Sequence, residues 1–290
     1  MNQQLIKTLS KPLIKQLLTK PQSLLVIPII AIIWFAYESL IARPTMSYMG
    51  LPQVELGIAN QGWSHILRNQ GFMLEYSETL ANPLWVTYQV TAKKIKNGKR
   101  PKFSADWRSL TAITHADYTH SGYDRGHMAP NYLIASRYGR SAQLDTFLMT
   151  NITPQRGHLN QKSWQRLEEL IANDFSKWYG DFWVITGPIF DEHPKRFKNG
   201  KVVIPKAFYK ILIKPSTDQI PEKALAFIFP QNAKPKASLM TFITSIDDVE
   251  KQTGIDFFSK LDDSIEDKIE RSITPEAWRL KEVANRPSRY

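Results

Sequence analysis

The chain has 290 residues, 42% of them apolar and 11% aromatic, and these proportions are typical of a folded protein with a sizeable core. It contains no cysteine, which excludes disulfide bonds, thiolate catalysis and cysteine-based zinc sites. A formal net charge of +11 favours a polyanionic partner, such as nucleic acid, an anionic membrane surface or a phosphorylated substrate, although charge alone leaves open a merely basic surface.

The N-terminal region predicts a membrane segment. Residues 1–22 form a basic tail, and residues 23–42 are predicted to be a transmembrane signal anchor. A helix from Leu24 to Ala42 would be about 28 Å long at ~1.5 Å per residue, which just spans a hydrocarbon core of roughly 30 Å. A poor cleavage pattern before Arg43 favours a retained anchor over a cleaved signal peptide.

The charges around this segment predict its orientation. The lysines precede it and only Arg43 directly follows it, so the positive-inside rule leaves the N-terminus in the cytoplasm and exports the rest of the chain. The expected compartment is the bacterial periplasm, with the main domain anchored to the membrane. A mitochondrial presequence is the alternative, and it would place the protein in the intermembrane space.

Turn-forming residues divide the remainder of the chain. Glycines and prolines are frequent in residues 43–77, which predicts a linker and lead-in to a globular domain at residues 78–275. Within that domain, residues 82–90 alternate like a strand and residues 160–178 carry a helical apolar stripe. Further strands are predicted at residues 182–186, 201–213 and 224–229. The last segment, residues 276–290, is predicted to be a C-terminal tail.

Positive charge is polarised along the chain. Basic residues crowd residues 93–108 and 195–214, whereas residues 247–270 are acidic. A solvated hairpin tip is one interpretation of the first basic stretch, and a phosphate-facing strip is the other. The candidate nucleic-acid-binding residues in it are Arg100, Lys102 and Arg108. The asymmetry supports a directed face for an anionic ligand.

Side chains suited to phosphodiester hydrolysis are concentrated in residues 118–169. That reaction needs an activated water, compensation of charge at phosphorus and a stabilised leaving group. His127 can act as the base, because a neutral imidazole accepts a proton near neutral pH. Arg125 offers a fixed charge and a planar fork that fits phosphate oxygens. Taken singly, His127 leaves open the commoner alternative of a structural histidine.

The same segment contains a candidate metal site. Asn160 offers one neutral oxygen, which suits Mg²⁺ because this ion keeps most of its water shell. Glu168 follows on the same predicted helix and is expected to hold a metal-bound water. Asn151 could position His127 or the phosphate. The alternatives are that Asn151 satisfies a turn and that Glu168 is an exposed helix carboxylate.

These residues lie in sequence motifs that resemble those of the DNA/RNA non-specific endonuclease family, the ββα-metal nucleases. The motifs are Asp124-Arg-Gly-His127-Met-Ala-Pro, Asn151-Ile-Thr-Pro-Gln155 and Asn160-Gln-Lys-Ser-Trp164. The resemblance covers residues 78–260 and leaves out the membrane segment. Two positions depart from the family pattern. Phe147 stands where some relatives have an asparagine, and Arg100 is about one residue out of register with an active-site arginine of the family.

The resemblance implies an α+β fold, in which a mainly antiparallel central sheet is flanked by helices and a ββα unit carries the catalytic site. It implies that His127 is the general base, that Asn160 ligates Mg²⁺ directly and that Glu168 binds a metal-bound water. Arg125 and Asn151 are implied as transition-state or positioning residues. We expect Mg²⁺ as the cofactor, with Mn²⁺ as a substitute, and a homodimer as a candidate assembly.

The sequence thus predicts a membrane-anchored or exported Mg²⁺-dependent endonuclease that cuts DNA, and RNA as a further candidate, with little sequence preference. One alternative is a module that holds nucleic acid without cutting it. Another is a phosphodiesterase that acts on small phosphate esters. The intact set of His127, Asn160 and Glu168 favours an enzyme over a binding module, because a pure binder does not need these three side chains.

Overall fold

The computed structural model describes residues 26–55, 62–92, 94–95, 98–217 and 222–288. They belong to two compact units, with the boundary between Thr45 and Met46. The predicted basic tail at residues 1–22 lies outside the described residues, as do residues 23–25 of the predicted anchor.

The N-terminal unit contains one apolar helix. This helix, α1 (Val26–Tyr37), continues through a π-helical turn (Glu38–Ala42). The helical stretch Val26–Met46 has 21 residues and a mean hydropathy of 1.7. Among the described residues it is the one helix long and apolar enough to cross a membrane, and a signal sequence has the same length and composition.

Antiparallel strands form the centre of the second unit. They are β1 (Gln53–Val54), β2 (Ser64–Arg68), β3 (Met73–Ser77), β4 (Asn82–Val90), β5 (Asp124–His127), β6 (Ile152–Gln155), β7 (Phe182–Ile189), β8 (Ala207–Lys214), β9 (Lys223–Pro230), β10 (Ile243–Thr244) and β11 (Ile255–Asp256). Seven of them form one sheet in the order β10-β9-β8-β7-β4-β3-β2, and each neighbouring pair is antiparallel. The predicted antiparallel central sheet is therefore confirmed.

Helical segments accompany this sheet. They are α2 (Asn131–Asp145), α3 (Gln165–Leu170), α4 (Ser176–Tyr179), α5 (Ile246–Thr253), α6 (Asp263–Arg271) and α7 (Leu280–Val283). The π-helical turn Leu159–Trp164 leads into α3, and the π-helical turn Ile171–Phe175 joins α3 to α4, so the four pieces form one continuous helical segment. We call this segment, residues 159–179, the site helix.

The sheet is buried on both faces, and alternate residues of β8 show how. Phe208 and Leu212 share a core with Trp164 of the site helix. Tyr209 and Ile211 point the other way and share a second core with residues of α5 and α6. This alternation is the period of a β-strand, and it places the site helix and the α5–α6 pair on opposite faces of the sheet.

The predicted linker and lead-in at residues 43–77 includes folded structure, contrary to the prediction of a plain connection. It contains β2 and β3, which form a hairpin at one edge of the main sheet. Met73, Leu74 and Tyr76 of β3 are completely buried. Gly71 lies between the two strands with φ +80°, a conformation that favours glycine. Gly71 therefore marks a hairpin turn within the domain and not a flexible connection.

Residues 276–288, the described part of the predicted C-terminal tail, also pack into the domain. Trp278, Leu280 and Val283 are completely buried in the core on the side of the site helix. The indole of Trp278 meets the ring of Phe182 edge-on, with centroids 5.3 Å apart. Their apolar side chains cover the end of this core, so the domain extends beyond residue 275.

We expect Trp278→Ala to lower the free energy of unfolding by about 3–5 kcal/mol, the usual cost of deleting a fully buried large aromatic side chain. Urea denaturation at constant pH measures the change. Trp107→Ala is the matched control, because the side chain of Trp107 is 90% exposed and its removal should change stability by less than about 0.5 kcal/mol. Equal effects of the two substitutions would show that the C-terminal segment adds no packing energy.

Three acidic side chains meet between α5 and α6. Carboxylate oxygens of Asp247, Glu250 and Glu270 lie within 4.8 Å of one another. Burial, reinforced by the neighbouring carboxylates, raises the pKa of Glu270, and burial also raises the pKa of Glu250. The folded protein therefore retains protons here that the unfolded chain releases once the pH exceeds the ordinary carboxyl range.

The contribution of these two carboxyl groups to the free energy of unfolding should consequently fall as the pH rises from about 5 to about 8, because at this cluster the folded state binds more protons than the unfolded state in this window. Glu270→Gln removes the titrating group, so the variant should become more stable than the wild type, by a margin that grows with pH. Thermal unfolding at four pH values tests this, with the exposed Glu192→Gln as control. A margin independent of pH would contradict the assignment.

Candidate active site

The site is built on a hairpin followed by a helix. Strands β5 and β6 pair antiparallel, with Asp124 opposite Gln155 and His127 opposite Ile152, and the site helix follows β6. Gly126 is required for this pairing, because a Cβ atom there would lie 2.1 Å from Oε1 of Gln155. The densest stretch of reactive residues in the sequence thus folds into a ββα unit.

A cleft of about 550 Å³ opens beside this unit. The predicted site residues that line it are Arg100, Arg125, His127, Asn160 and Glu168. The other lining residues are Phe103, Asp124, Pro130, Asn131, Tyr132, Leu133, Gln161, Gln165 and Glu169. Side chains from separate parts of the sequence therefore converge on one cavity, as expected of a binding or catalytic site.

His127 is held as a neutral imidazole. Its ring meets Phe147 edge-on, with centroids 4.9 Å apart, and lies 5.5 Å from the ring of Phe103. Burial, with a smaller contribution from the charge of Arg100, lowers the pKa of His127 to about 3. Its Nε2 atom is buried and has no hydrogen-bond partner within the described part of the chain. A neutral ring whose Nε2 has no partner leaves that nitrogen able to accept a proton.

Asn151 lies behind the cleft. Its side chain is buried, its Oδ1 accepts a hydrogen bond from the backbone N–H of Ala129 at 2.8 Å, and its Nδ2 donates to the carbonyl oxygens of Ala129 and Thr146. Its own carbonyl oxygen accepts from the N–H of Met128. These contacts hold the backbone directly after His127, which fits a positioning role and not direct contact with a phosphate.

Asn160 presents its carbonyl oxygen to a potential ligand. Its Nδ2 donates to Oδ2 of Asp124 at 3.0 Å, and Nε2 of Gln161 donates to the same oxygen at 2.8 Å. A carboxylate only accepts hydrogen bonds, so the amide nitrogen of Asn160 must face Asp124. The amide oxygen is then the atom available to a cation, and hard divalent cations prefer oxygen ligands.

Glu168 lies at the wall of the cleft beside a buried lysine. Its Oε1 is 3.7 Å from Nζ of Lys210, whose side chain is completely buried. Burial raises the pKa of Glu168, and the charge of Lys210 opposes that rise. Burial lowers the pKa of Lys210, and the carboxylate of Glu168 opposes that fall. Each charge is therefore stabilised by its partner.

The candidate basic residues separate into different environments. Arg125 donates to the carbonyl oxygen of His115 at 2.7 Å, and the guanidinium of Arg100 lies 5.6 Å from the ring centroid of Phe147. Both arginines line the cleft. Lys102 is exposed and is not among the lining residues.

Arg108 has a structural role that its position in the basic stretch did not reveal. Its guanidinium pairs with the buried Asp106 at 2.7 Å and also donates to Oδ1 of Asn69 and the carbonyl oxygen of Arg68. These contacts use its donors inside the domain. These contacts stabilise its loop, and the predicted nucleic-acid-binding role of Arg108 stays a prediction.

One neighbour of the site residues was not identified from the sequence. Lys210 faces Glu168 from a distant strand. A signal for Lys210 exists, because a single lysine interrupts the apolar strand Ala207–Lys214 at its centre.

The unit formed by β5, β6 and the site helix places this protein among the ββα-metal nucleases. The sequence profile of the DNA/RNA non-specific endonuclease family matches residues 52–264, and the chain belongs to that family. Members of the family are divalent-metal-dependent nucleases. The match begins upstream of residue 78, in agreement with the β2–β3 hairpin being part of the domain.

Individual relatives support this assignment. The chain is 33% identical over 217 residues to nuclease C1 of Cunninghamella echinulata var. echinulata, covering 68% of this chain and 83% of that one. It is 28% identical over 216 residues to human mitochondrial endonuclease G, covering 68% and 70%. It is 28% identical over 225 residues to the nuclease of Serratia marcescens, covering 73% and 82%. The protein is accordingly a hydrolytic nuclease.

A solved structure shares the fold. The crystal structure of a complex between EndoG and its inhibitor EndoGI contains a chain that superimposes with a TM-score of 0.60 at 25% sequence identity. The match covers 70% of this chain and 89% of that chain. The predicted ββα-metal nuclease fold is thus confirmed.

Proposed function

We propose that the protein is a Mg²⁺-dependent endonuclease that cuts DNA, and also RNA, with little sequence preference. The convergence of His127, Asn160 and Glu168 on one cleft is the observation that carries this proposal. Asn160 would hold the metal through its amide oxygen, and Glu168 would bind the metal through water. Mn²⁺ has similar ligand preferences and is the expected substitute.

Each side chain of the site has a separate role in phosphodiester hydrolysis. His127 takes the proton of the attacking water, since its ring is neutral and its buried Nε2 has no partner among the described residues. Arg125 and Arg100 compensate the negative charge that accumulates on the phosphate. When bound, Mg²⁺ supplies further positive charge to the phosphate and the leaving oxygen. Asn151 holds the backbone that carries His127.

The broad substrate range follows from the type of contact. The charged side chains of the cleft suit phosphate oxygens, which are the same for every base. The overall charge of +11 adds a salt-sensitive attraction to any nucleic acid.

Plasmid nicking tests the proposal. We expect purified protein to relax and then linearise supercoiled plasmid in Mg²⁺ or Mn²⁺, and to lose this activity in excess EDTA. Binding of DNA without nicking in Mg²⁺ would favour the non-cutting module. Cleavage of a small chromogenic phosphodiester without plasmid nicking would favour the phosphodiesterase.

We also propose that the helix Val26–Met46 is retained as a membrane anchor, with the nuclease domain exported to the periplasm. The length and hydropathy of the helix support this. N-terminal sequencing of the mature membrane fraction tests it, because a mature protein that begins after Ala42 would show cleavage. A homodimer remains a candidate assembly, which light scattering of the detergent-solubilised protein tests.

Arg100→Ala should weaken DNA binding and reduce the slope of log Kd against log salt concentration by about one, because a single phosphate contact is lost. Arg108→Ala is the matched control. Its guanidinium is occupied by Asp106, so the substitution should lower stability and leave the salt slope unchanged. Fluorescence anisotropy with a labelled duplex at five salt concentrations measures both slopes. Equal slopes for Arg100→Ala and the wild type would show that Arg100 does not contact a phosphate of the bound DNA.

A further inference from the structure

Lys210 occupies a position where a charge is costly. It lies at the centre of β8, its side chain is completely buried, and its strand neighbours Tyr209 and Ile211 are core residues. Moving an ammonium group out of water costs several kcal/mol unless a partner compensates it. A buried lysine in an otherwise apolar strand therefore calls for a specific partner.

The partner is a residue of the active site. Nζ of Lys210 lies 3.7 Å from Oε1 of Glu168 and 4.2 Å from the ring centroid of Trp164. Trp164 is itself fixed edge-on between Phe208 and Phe229, with centroids 5.8 Å and 5.6 Å away. The ammonium group is thus held between the face of a rigid indole and the carboxylate that lines the cleft.

The contact between the two charges is electrostatic and not a direct hydrogen bond. At 3.7 Å, the distance from Nζ to Oε1 exceeds that of a hydrogen bond, and neither atom has a hydrogen-bond partner in the described ranges. Tyr88 lies close enough for the Glu168 carboxylate to add to the rise that burial causes in its pKa. Glu168 therefore faces a buried cation on one side and the cleft on the other.

We propose that Lys210 is a positioning residue for catalysis, which holds the Glu168 carboxylate in place and directed at the metal site. The inference rests on the proposed function, in which Glu168 binds the metal through water. Lys210 itself lies behind the cleft wall and is not one of its lining residues. Its effect would pass entirely through Glu168, and this distinguishes it from Arg100 and Arg125, which face the substrate.

Lys210→Met tests the proposal, because methionine has a similar length and removes only the charge. We expect kcat for plasmid cleavage to fall about 10- to 100-fold, the usual effect of losing a group that supports a metal site from outside its direct ligands. KM should change less than about threefold, since Lys210 does not touch the substrate. Circular dichroism at the assay temperature confirms that the variant is folded.

A double-mutant cycle separates positioning from mere stabilisation of the fold. In a Glu168→Gln background, Lys210→Met should lower kcat by less than about twofold, because its target is already gone. Equal losses in both backgrounds would overturn the proposal, and so would a Lys210→Met variant with wild-type kcat. Lys214→Met is the matched control on the same strand. Nζ of Lys214 donates to the carbonyl oxygen of Asp181, and its removal should leave kcat unchanged.

The proposed function and this inference fail in different ways. A folded wild-type protein that does not nick plasmid in Mg²⁺ would refute the proposed function and the inference with it. If the wild type cleaved plasmid and Lys210→Met did so with the same kcat, only the inference about Lys210 would be refuted.

Discussion

Replacing His127 with alanine is expected to lower kcat for plasmid cleavage by about 10²- to 10⁴-fold, the range over which a positioned general base accelerates proton transfer. The ring is neutral, packs against Phe147 and Phe103, and presents a buried Nε2 without a partner among the described residues. Because a neutral ring contributes no charge to phosphate binding, KM and DNA affinity should change far less than kcat. Initial rates at saturating Mg²⁺ measure the effect.

A second histidine provides the control for this experiment. His193 is exposed and does not line the cleft, so His193→Ala should cleave plasmid at the wild-type rate. If His127→Ala also retained activity within about threefold of the wild type, general-base catalysis by this residue would be excluded. Loss of DNA binding in His127→Ala would instead assign the residue to substrate binding.

The site residues that could be predicted from the sequence are those that lie close together along the chain. His127 and Arg125 belong to one short motif, and Asn160 and Glu168 lie on one helix, so their residue types and spacing indicate a common site. All four line the cleft. The helix nevertheless begins with a π-helical turn at Leu159–Trp164, which the spacing of apolar residues in the sequence does not predict. Such turns are frequent at functional sites.

The parts that could not be predicted depend on contacts between distant residues. The glycine pattern predicts a linker around Gly71, because such a pattern does not distinguish a hairpin turn from a flexible connection. The sequence predicts a tail at Trp278, since a short segment shows no period by which burial could be recognised. The basic stretch groups Arg108 with phosphate-binding residues, because charge along a sequence does not show which donors are paired within the fold.

The largest effect after that of His127 is expected for Asn160→Ala, which removes the one side-chain oxygen that the site is proposed to offer directly to the metal. We expect kcat to fall more than about 100-fold, since losing a direct ligand should cost more than losing a group outside the direct ligands. The Mg²⁺ concentration for half-maximal activity should also rise. Activity titrations with Mg²⁺ and Mn²⁺, together with calorimetric binding of Mn²⁺ in the absence of DNA, measure both changes.

Gln161→Ala distinguishes loss of a metal ligand from loss of a hydrogen bond to Asp124. Both amide nitrogens donate to the same Oδ2 atom of Asp124, at 3.0 Å from Asn160 and 2.8 Å from Gln161. If the oxygen of Asn160 binds the metal, Gln161→Ala should cost less than about tenfold in kcat and leave Mn²⁺ affinity almost unchanged. Equal losses of Mn²⁺ affinity in the two variants would instead make Asp124 the ligand, because its carboxylate is the group that both amides orient.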